Sequence, residues 1–294
     1  MQTISNLYRL IDRPYLLKKI IVLSIIFFII SSCTPRILIV EYPGLVSKFY
    51  VKKILSLESK EILTIEEKRT LIKTKIEYGY GLLLEQSDRL LDQDYQLGLE
   101  KANDAYKQFN EARDVGISII NNSYPNFNKW LDNKADINFN KDDVYDLYWL
   151  AASYGGALRA SRGKPYELVN LYKIGYLLEK AIDLDSKWGR GALFSAMMSY
   201  TSARPDLFGQ NHIDSVTYYF DRAIAESDSL DAGVFVSYAE LIDKKFQKKA
   251  AFEKKLKYVL KMNINEDSYF RLTNIIAQER AKWLLSKKSD YFLE

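Results

Sequence analysis

Cysteine and histidine are almost missing from this chain: Cys33 and His212 are single copies in 294 residues. One cysteine makes no intramolecular disulfide, so the fold must rest on packing alone. One cysteine with one histidine makes no zinc site, and the carboxylates show no metal-ligand spacing. His212 lies far along the chain from Cys33, in a segment rich in Pro and Gly, and nothing marks it as the base of a thiol nucleophile. Phosphate-binding glycine loops and nucleophile elbows are missing as well. The glycines of "YGGALR" fall inside a helical pattern and not after a strand. No spacing places two of the many acids in one cleft. The chain reads as a non-enzyme without a cofactor.

A long apolar run is lacking too. Residues 20–30 are apolar except for Ser24, which is far short of the ~20 residues a spanning helix needs. Ahead of them Arg9, Arg13, Lys18 and Lys19 face a single acid, Asp12. A basic region, a short apolar region and small residues at its exit make a secretory signal peptide. "ISSC" then resembles a bacterial lipobox, with Ile30 in the aliphatic slot. That likeness implies removal of residues 1–32 and diacylglyceryl modification of Cys33; the alternative is an uncleaved signal anchor. Thr34 is not the aspartate of an inner-membrane retention signal. In a two-membrane bacterium the expected place is therefore the periplasmic side, anchored by lipid in the inner leaflet of the outer membrane.

Charge of one sign is also scarce once the leader is set aside. Four of the 42 basic residues and one of the 38 acids belong to residues 1–32, so the remainder balances at +1. A total so close to zero gives no ground for a nucleic-acid partner or for an anionic membrane surface.

What the chain does have is helical periodicity. Residues 33–50, with "TPRILIVEYPG" bracketed by Pro35 and Pro43, read as a lipid-anchored tether or docking segment, and residues 51–294 as one helical domain. Ile76, Leu83, Leu84, Leu90 and Leu91 mark a long helix in which Gly79 and Gly81 imply close approach of a neighbour. Ala102, Ala105, Tyr106, Phe109, Ala112 and Gly116 mark the next. The stretch "NNSYPNFNKWLDNKADINFNKDD" reads as a long polar loop. Val144 to Leu158 then form a helix that Asp142 or Asp143 can cap, and a stripe from Leu168 through Leu171, Gly175 and Leu178 to Ile182 follows Pro165. "LDSKWGRGA", "SARPDLFGQNH" and "ESDSLD" punctuate further helices that end with the stripe Leu272, Ile275, Ile276, Ala277, Ala281 and Leu284.

Short turns between these helices suggest a repeat. "YLLEKAIDLDSKWGRGALFSA" can be laid over "YYFDRAIAESDSLDAGVFVSYA", which places Ala181 and Ala223 in register 42 residues apart. Leu178 and Phe220 take the bulky position three residues earlier, as in a tetratricopeptide repeat. Ser186 and Asp228 stand at the helix-breaking turn, where the usual proline is absent. The expected fold is all-α, with antiparallel helix pairs stacked as degenerate tetratricopeptide-like repeats. An unrelated helical bundle is the alternative.

Some residues sit oddly for plain solvated faces. Tyr154, Arg159 and Lys164 gather at one helix end, Trp188 and Arg190 in a repeat turn, and Phe208 with Gly209 in a loop. Gln278, Glu279 and Arg280 interrupt the last apolar run. Rings and guanidinium groups near repeat turns are candidate ligand or partner contacts on a concave surface. Arg280 is the exception, better suited to a structural ion pair.

Together with the lipobox, "YWLAASYGGALRASRGKP", "AIDLDSKWGRGALFSAMMSYTSARPDLFGQ", "YYFDRAIAESD" and "RLTNIIAQERAKWLL" resemble the T-component family of TRAP transporters from about Tyr78 to the C-terminus. The likeness implies an all-helical periplasmic lipoprotein that self-associates as a homotrimer. It further implies contact with the soluble substrate-binding component, and apolar cavities that hold or pass a small hydrophobic ligand. Two positions depart from the family: Gly209-Gln210 stands where paired glycines are frequent, and Tyr154 where a tryptophan is common. A general tetratricopeptide scaffold for envelope proteins is the competing functional reading.

Overall fold

The computed structural model describes residues 41–292, so the leader and Cys33 lie outside the described part. Helix α1 (Pro43–Glu58) begins at Pro43, the second proline of the expected tether. Proline suits a first helical position, because the N–H it lacks has no intrahelical partner there. The boundary expected at residue 50 therefore falls inside α1. Helix α2 (Ile65–Tyr78) opens with a capping box in which the Thr64 hydroxyl accepts from the Glu67 N–H and the Glu67 carboxylate from the Thr64 N–H.

The helix expected to run on through Leu91 is interrupted. A π-helical turn (Gly79–Leu84) precedes α3 (Glu85–Leu90). A Cβ on Gly79 would stand 2.5 Å from the Phe109 ring, so the expected close approach is real. Phe109 belongs to α4 (Tyr95–Ser123), which Asp94 caps by accepting from the Leu97 N–H.

Residues 121–143 do not form the long polar loop expected. Helix α4 runs on to Ser123, α5 (Phe127–Leu131) follows, and Phe127, Trp130, Leu131 and Phe139 are all buried. Trp130 stacks on Tyr176 with ring centroids 4.3 Å apart. These apolar residues stand at irregular intervals among asparagines and lysines, so no period reveals them. At the end of this stretch Asn140 caps the turn that follows, accepting from the Asp142 N–H, while the Asp143 carboxylate accepts from the Asn140 N–H. A 3-10 turn (Lys141–Asp143) then leads into α6 (Val144–Ala160).

Helix α7 (Pro165–Leu168) is a single turn, and α8 (Leu171–Asp185) starts afresh, so the stripe drawn from Leu168 to Leu171 is broken and Leu168 is exposed. The turn Trp188–Gly191 holds three consecutive left-handed residues, Gly189, Arg190 and Gly191. At Gly191 a Cβ would lie 2.6 Å from the Ala223 carbonyl oxygen. Then come α9 (Ala192–Ala203), α10 (Gly209–Glu226), α11 (Ala232–Tyr238), a second π-helical turn (Ala239–Lys244), α12 (Lys249–Lys261), α13 (Arg271–Ser286) and α14 (Lys288–Tyr291). His212 is not in a loop; it sits on the first turn of α10 and is 1% exposed.

Four apolar clusters follow one another along the chain, and neighbouring clusters draw on the same helices. Helix α6 gives Ala157 and Ala160 to a cluster with α1, α2, the first π-helical turn and α4, and Leu147, Leu150 and Tyr154 to the next with α8. Helix α9 gives Leu193 and Met197 to that second cluster, and Phe194 and Met198 to a third with Val216 and Ala223. Val236 and Ala239 join α12 and α13 in the fourth. Because each cluster touches mainly its sequence neighbours, the all-α architecture is solenoid-like. Ala181 and Ala223, the small residues placed in register, are both fully buried, and Asp228 at the second repeat turn is left-handed.

Candidate functional site

The stacked helices enclose a cleft of about 1280 Å³. Its apolar wall comes from α6 and α8, with Ala151, Leu158, Leu171, Ile174 and Leu178, and from Ala192 and Ala196 of α9. Its aromatic wall includes Tyr80, Tyr148, Trp149, Trp188, Tyr269 and Phe270. Residues of the second π-turn and of α13 complete it. Two stripes on α6 explain how one helix serves both core and cleft. Leu147, Leu150 and Tyr154 belong to the core cluster, while Tyr148, Ala152, Gly155 and Arg159, offset by about one third of a turn, line the cleft.

The aromatic wall is braced by contacts between its own members. Trp188 packs on Tyr148 with centroids 4.8 Å apart, and the Tyr80 hydroxyl donates to the Ala152 carbonyl at 3.2 Å. Burial pushes the Tyr80 hydroxyl up to about 12, against the pull of Arg159, and raises Tyr148 further. Both therefore stay protonated donors. The Trp149 Nε1 is buried and has no hydrogen-bond partner among the described residues. Asp231, at the cap of α11, accepts from the Gly233 N–H. Burial raises its carboxyl, and the Gly233 and Val234 N–H groups oppose that rise.

At one end of the cleft a cluster of charges gathers around the buried Arg280. Arg280 of α13 meets Glu240 of the second π-turn in a bidentate pair, 2.7 and 3.0 Å. Its Nη1 lies 2.8 Å from Asp88 and 3.5 Å from Glu85, both on α3. Arg159 reaches the same Asp88 oxygen at 2.9 Å, and the Arg280 guanidinium lies 4.6 Å over the Trp283 ring. Burial by itself would lower Arg280, but Glu240 and Glu85 outweigh it and hold it charged. Burial pushes the Glu85 carboxyl up, against Arg280 first and then Arg159 and Arg89. Four elements, α3, α6, the second π-turn and α13, are joined here by paired charges.

The candidate residues do not share one surface. Arg159, Trp188 and Arg280 line the cleft. Arg190 stands behind its wall, paired to Asp267 at 2.7 Å and lying 5.2 and 4.7 Å over Tyr269 and Phe270. Tyr154 is 5% exposed in the core, with the Arg113 guanidinium 5.0 Å over its ring. Lys164 is exposed just before α7, and Phe208, 79% exposed, and Gly209 open α10; none of these three lines the cleft. Gln278 is structural, donating to the Val259 and Met262 carbonyls. Cys33 lies outside the described residues. Sequence reasoning missed Trp149, Asp88, Glu240, Tyr269, Phe270 and Trp283. The second stripe of α6 was a legible signal; the others meet only through the tertiary fold.

The sequence profile of the TRAP transporter T-component matches residues 64–292. The chain belongs to this family. Every residue that lines the cleft, from Lys73 to Tyr291, falls inside the matched span. Membership gives this T-component an accessory role in TRAP transport and an association with that transporter. An uncharacterized protein of Treponema pallidum (strain Nichols) is 21% identical over 226 residues, covering 74% of this chain and 70% of that one. Among the described residues of this T-component no helix is long and apolar enough to cross a membrane, and no group of His, Cys, Asp and Glu is placed to hold a metal ion.

Proposed function

We propose that this T-component is an exported accessory protein, anchored through Cys33, that receives the substrate-binding component of a TRAP system and holds a small hydrophobic ligand in its cleft. The observation that carries the reading is the cleft itself. Aliphatic and aromatic residues are the larger share of its lining, beside charged residues such as Lys73, Glu77 and Lys244, and the Arg159, Asp88, Arg280 and Glu240 charges at its end already neutralise one another. An apolar ligand meets no unpaired charge in that cluster, while the Tyr148 hydroxyl and the Trp149 N–H offer donors for orientation.

The binding partner is tested by calorimetry of the chain from Thr34 onward with the cognate receptor. Trp188→Ala should weaken binding by about 2 kcal/mol or more if the aromatic wall of the cleft is the contact. Phe208→Ala tests the exposed ring at the start of α10 as a second contact, and a change at Asn133 serves as control. Absence of binding, with and without the receptor's ligand, would refute the transport reading. The near-zero charge balance makes the affinity only weakly dependent on salt.

The size of the cleft favours a second reading. About 1280 Å³ exceeds the roughly 300–1000 Å³ of a small-molecule site, which suits a peptide segment of an envelope protein. In that reading the cleft of a general scaffold takes a chain and not a small ligand.

A further inference from the structure

Helix α1 lies wholly ahead of the residues that match the family. Its inner side is fixed to the body. Ile54 is buried, Tyr50 stacks on Tyr78 at 5.6 Å, the Ser47 and Tyr78 hydroxyls are 2.9 Å apart, and Glu58 pairs with Lys75 at 2.5 Å. Its outer side is unusual. Leu45, Lys48, Phe49, Lys52 and Leu55 fall at i, i+3, i+4, i+7 and i+10, one stripe of the helix. Phe49 is 64% and Leu55 58% exposed, and Lys48 and Lys52 make no ion pair among the described residues.

We propose that this stripe is a membrane-docking surface, with an anionic phospholipid bilayer as its occupant. Apolar side chains interleaved with lysines, and no acid on the helix before Glu58, are the composition of a helix that lies in the headgroup region. Chain length supports the same occupant. Pro43 is ten residues beyond Cys33, a span of about 35 Å at full extension, so a lipid on Cys33 keeps α1 within reach of the bilayer surface. This second argument rests on the anchored reading above; the stripe itself does not. A second copy packed on α1 by two-fold symmetry would set Lys48 and Lys52 against their own images, a like-charge contact. Because the inner side of α1 is fixed by packing, docking also sets how the cleft is presented to the periplasm.

The test uses the chain from Thr34 to Glu294, without Cys33; the compact unit that begins at Pro43 is complete in it. Co-sedimentation with vesicles of phosphatidylethanolamine and phosphatidylglycerol should show binding that phosphatidylcholine vesicles lack. The double variant Lys48→Ala with Lys52→Ala should lower partitioning by on the order of tenfold or more at low salt, and Phe49→Ser should lower it with no loss of helicity. Absence of binding to the anionic vesicles overturns the proposal, as does binding unchanged in both variants. A shift of oligomeric state by Phe49→Ser without vesicle binding also overturns it, in favour of a contact between copies. Lipidation of Cys33 is followed separately by palmitate labelling of the full chain, and its absence would leave the vesicle result standing.

Discussion

Phe109 of α4 packs against Gly156 of α6: a methyl group on that glycine would stand 2.3 Å from the ring. The same ring also fills the space beside Gly79 of the first π-helical turn, where a Cβ would stand 2.5 Å from it. One phenylalanine thus replaces the side chains of two glycines on two other helices, and so sets how closely α2, α4 and α6 approach. It also has Tyr80 of the cleft wall in edge contact at 4.8 Å.

Gly156→Ala is therefore expected to destabilise by about 1–3 kcal/mol through overpacking, although alanine is the better helix former. Urea denaturation followed by circular dichroism measures this. A variant as stable as the parent would show that α4 and α6 can separate without loss.

Arg280→Ala should cost about 1–3 kcal/mol, because it removes the buried cation that the partly exposed Glu240, Glu85 and Asp88 share. Arg280→Lys should recover only part of this, since an ammonium cannot repeat the bidentate pair with Glu240. Full recovery in a chemical denaturation series would argue that the charge alone matters.

Ala181→Glu and Ala223→Glu each put a carboxylate where no space or partner exists. Each should lose more than about 3 kcal/mol. Thermal melts close to the parent's for both would mean that the two alanines are not equivalent core positions.

His212 gives a pH signature. Burial, with the Lys245 ammonium beside it, lowers its imidazole below the usual histidine range, and a backbone contact with Ser202 opposes this only in part. The unfolded chain takes up the proton near pH ~6.5 and the folded chain only at lower pH, so stability falls as pH drops from about 7 through that value. His212→Gln should lack this loss. The stability difference between parent and variant should shrink on acidification, while the raised carboxyls of Glu85 and Asp231 affect both proteins alike. A difference that stays constant from pH 8 to about 5 would refute it.

Cys33→Ala should make the protein extractable from the membrane fraction by a carbonate wash, with its helicity unchanged, because docking through α1 alone is peripheral. Retention after a carbonate wash, with the leader still attached, would argue for an uncleaved signal anchor.

How much was legible depended on whether a pattern was local. The three-four stripes of α4, α6, α10 and α13 carried the all-α fold, because amphipathic periodicity is written within each helix. The same logic exposed the close approach at Gly79. It failed between residues 121 and 143, where Phe127, Trp130 and Phe139 reach the core without any period. It also treated α6 as carrying one stripe, although Leu147 and Leu150 face the core while Tyr148 and Arg159 face the cleft.

The sequence by itself determined the helical class and the family and, with a single cysteine, a fold without an intramolecular disulfide. Only the tertiary structure decided the site. Asp88, Glu240 and Arg280 are separated by 152 and 40 positions in the chain, yet they meet as one charge cluster. Tyr154 looks like a ligand residue in the sequence and is a core residue in space, because α6 turns it inward while its neighbours on the next stripe meet the cleft. Periodicity records which residues share a face of one helix; which faces then meet is settled by the packing of the whole chain.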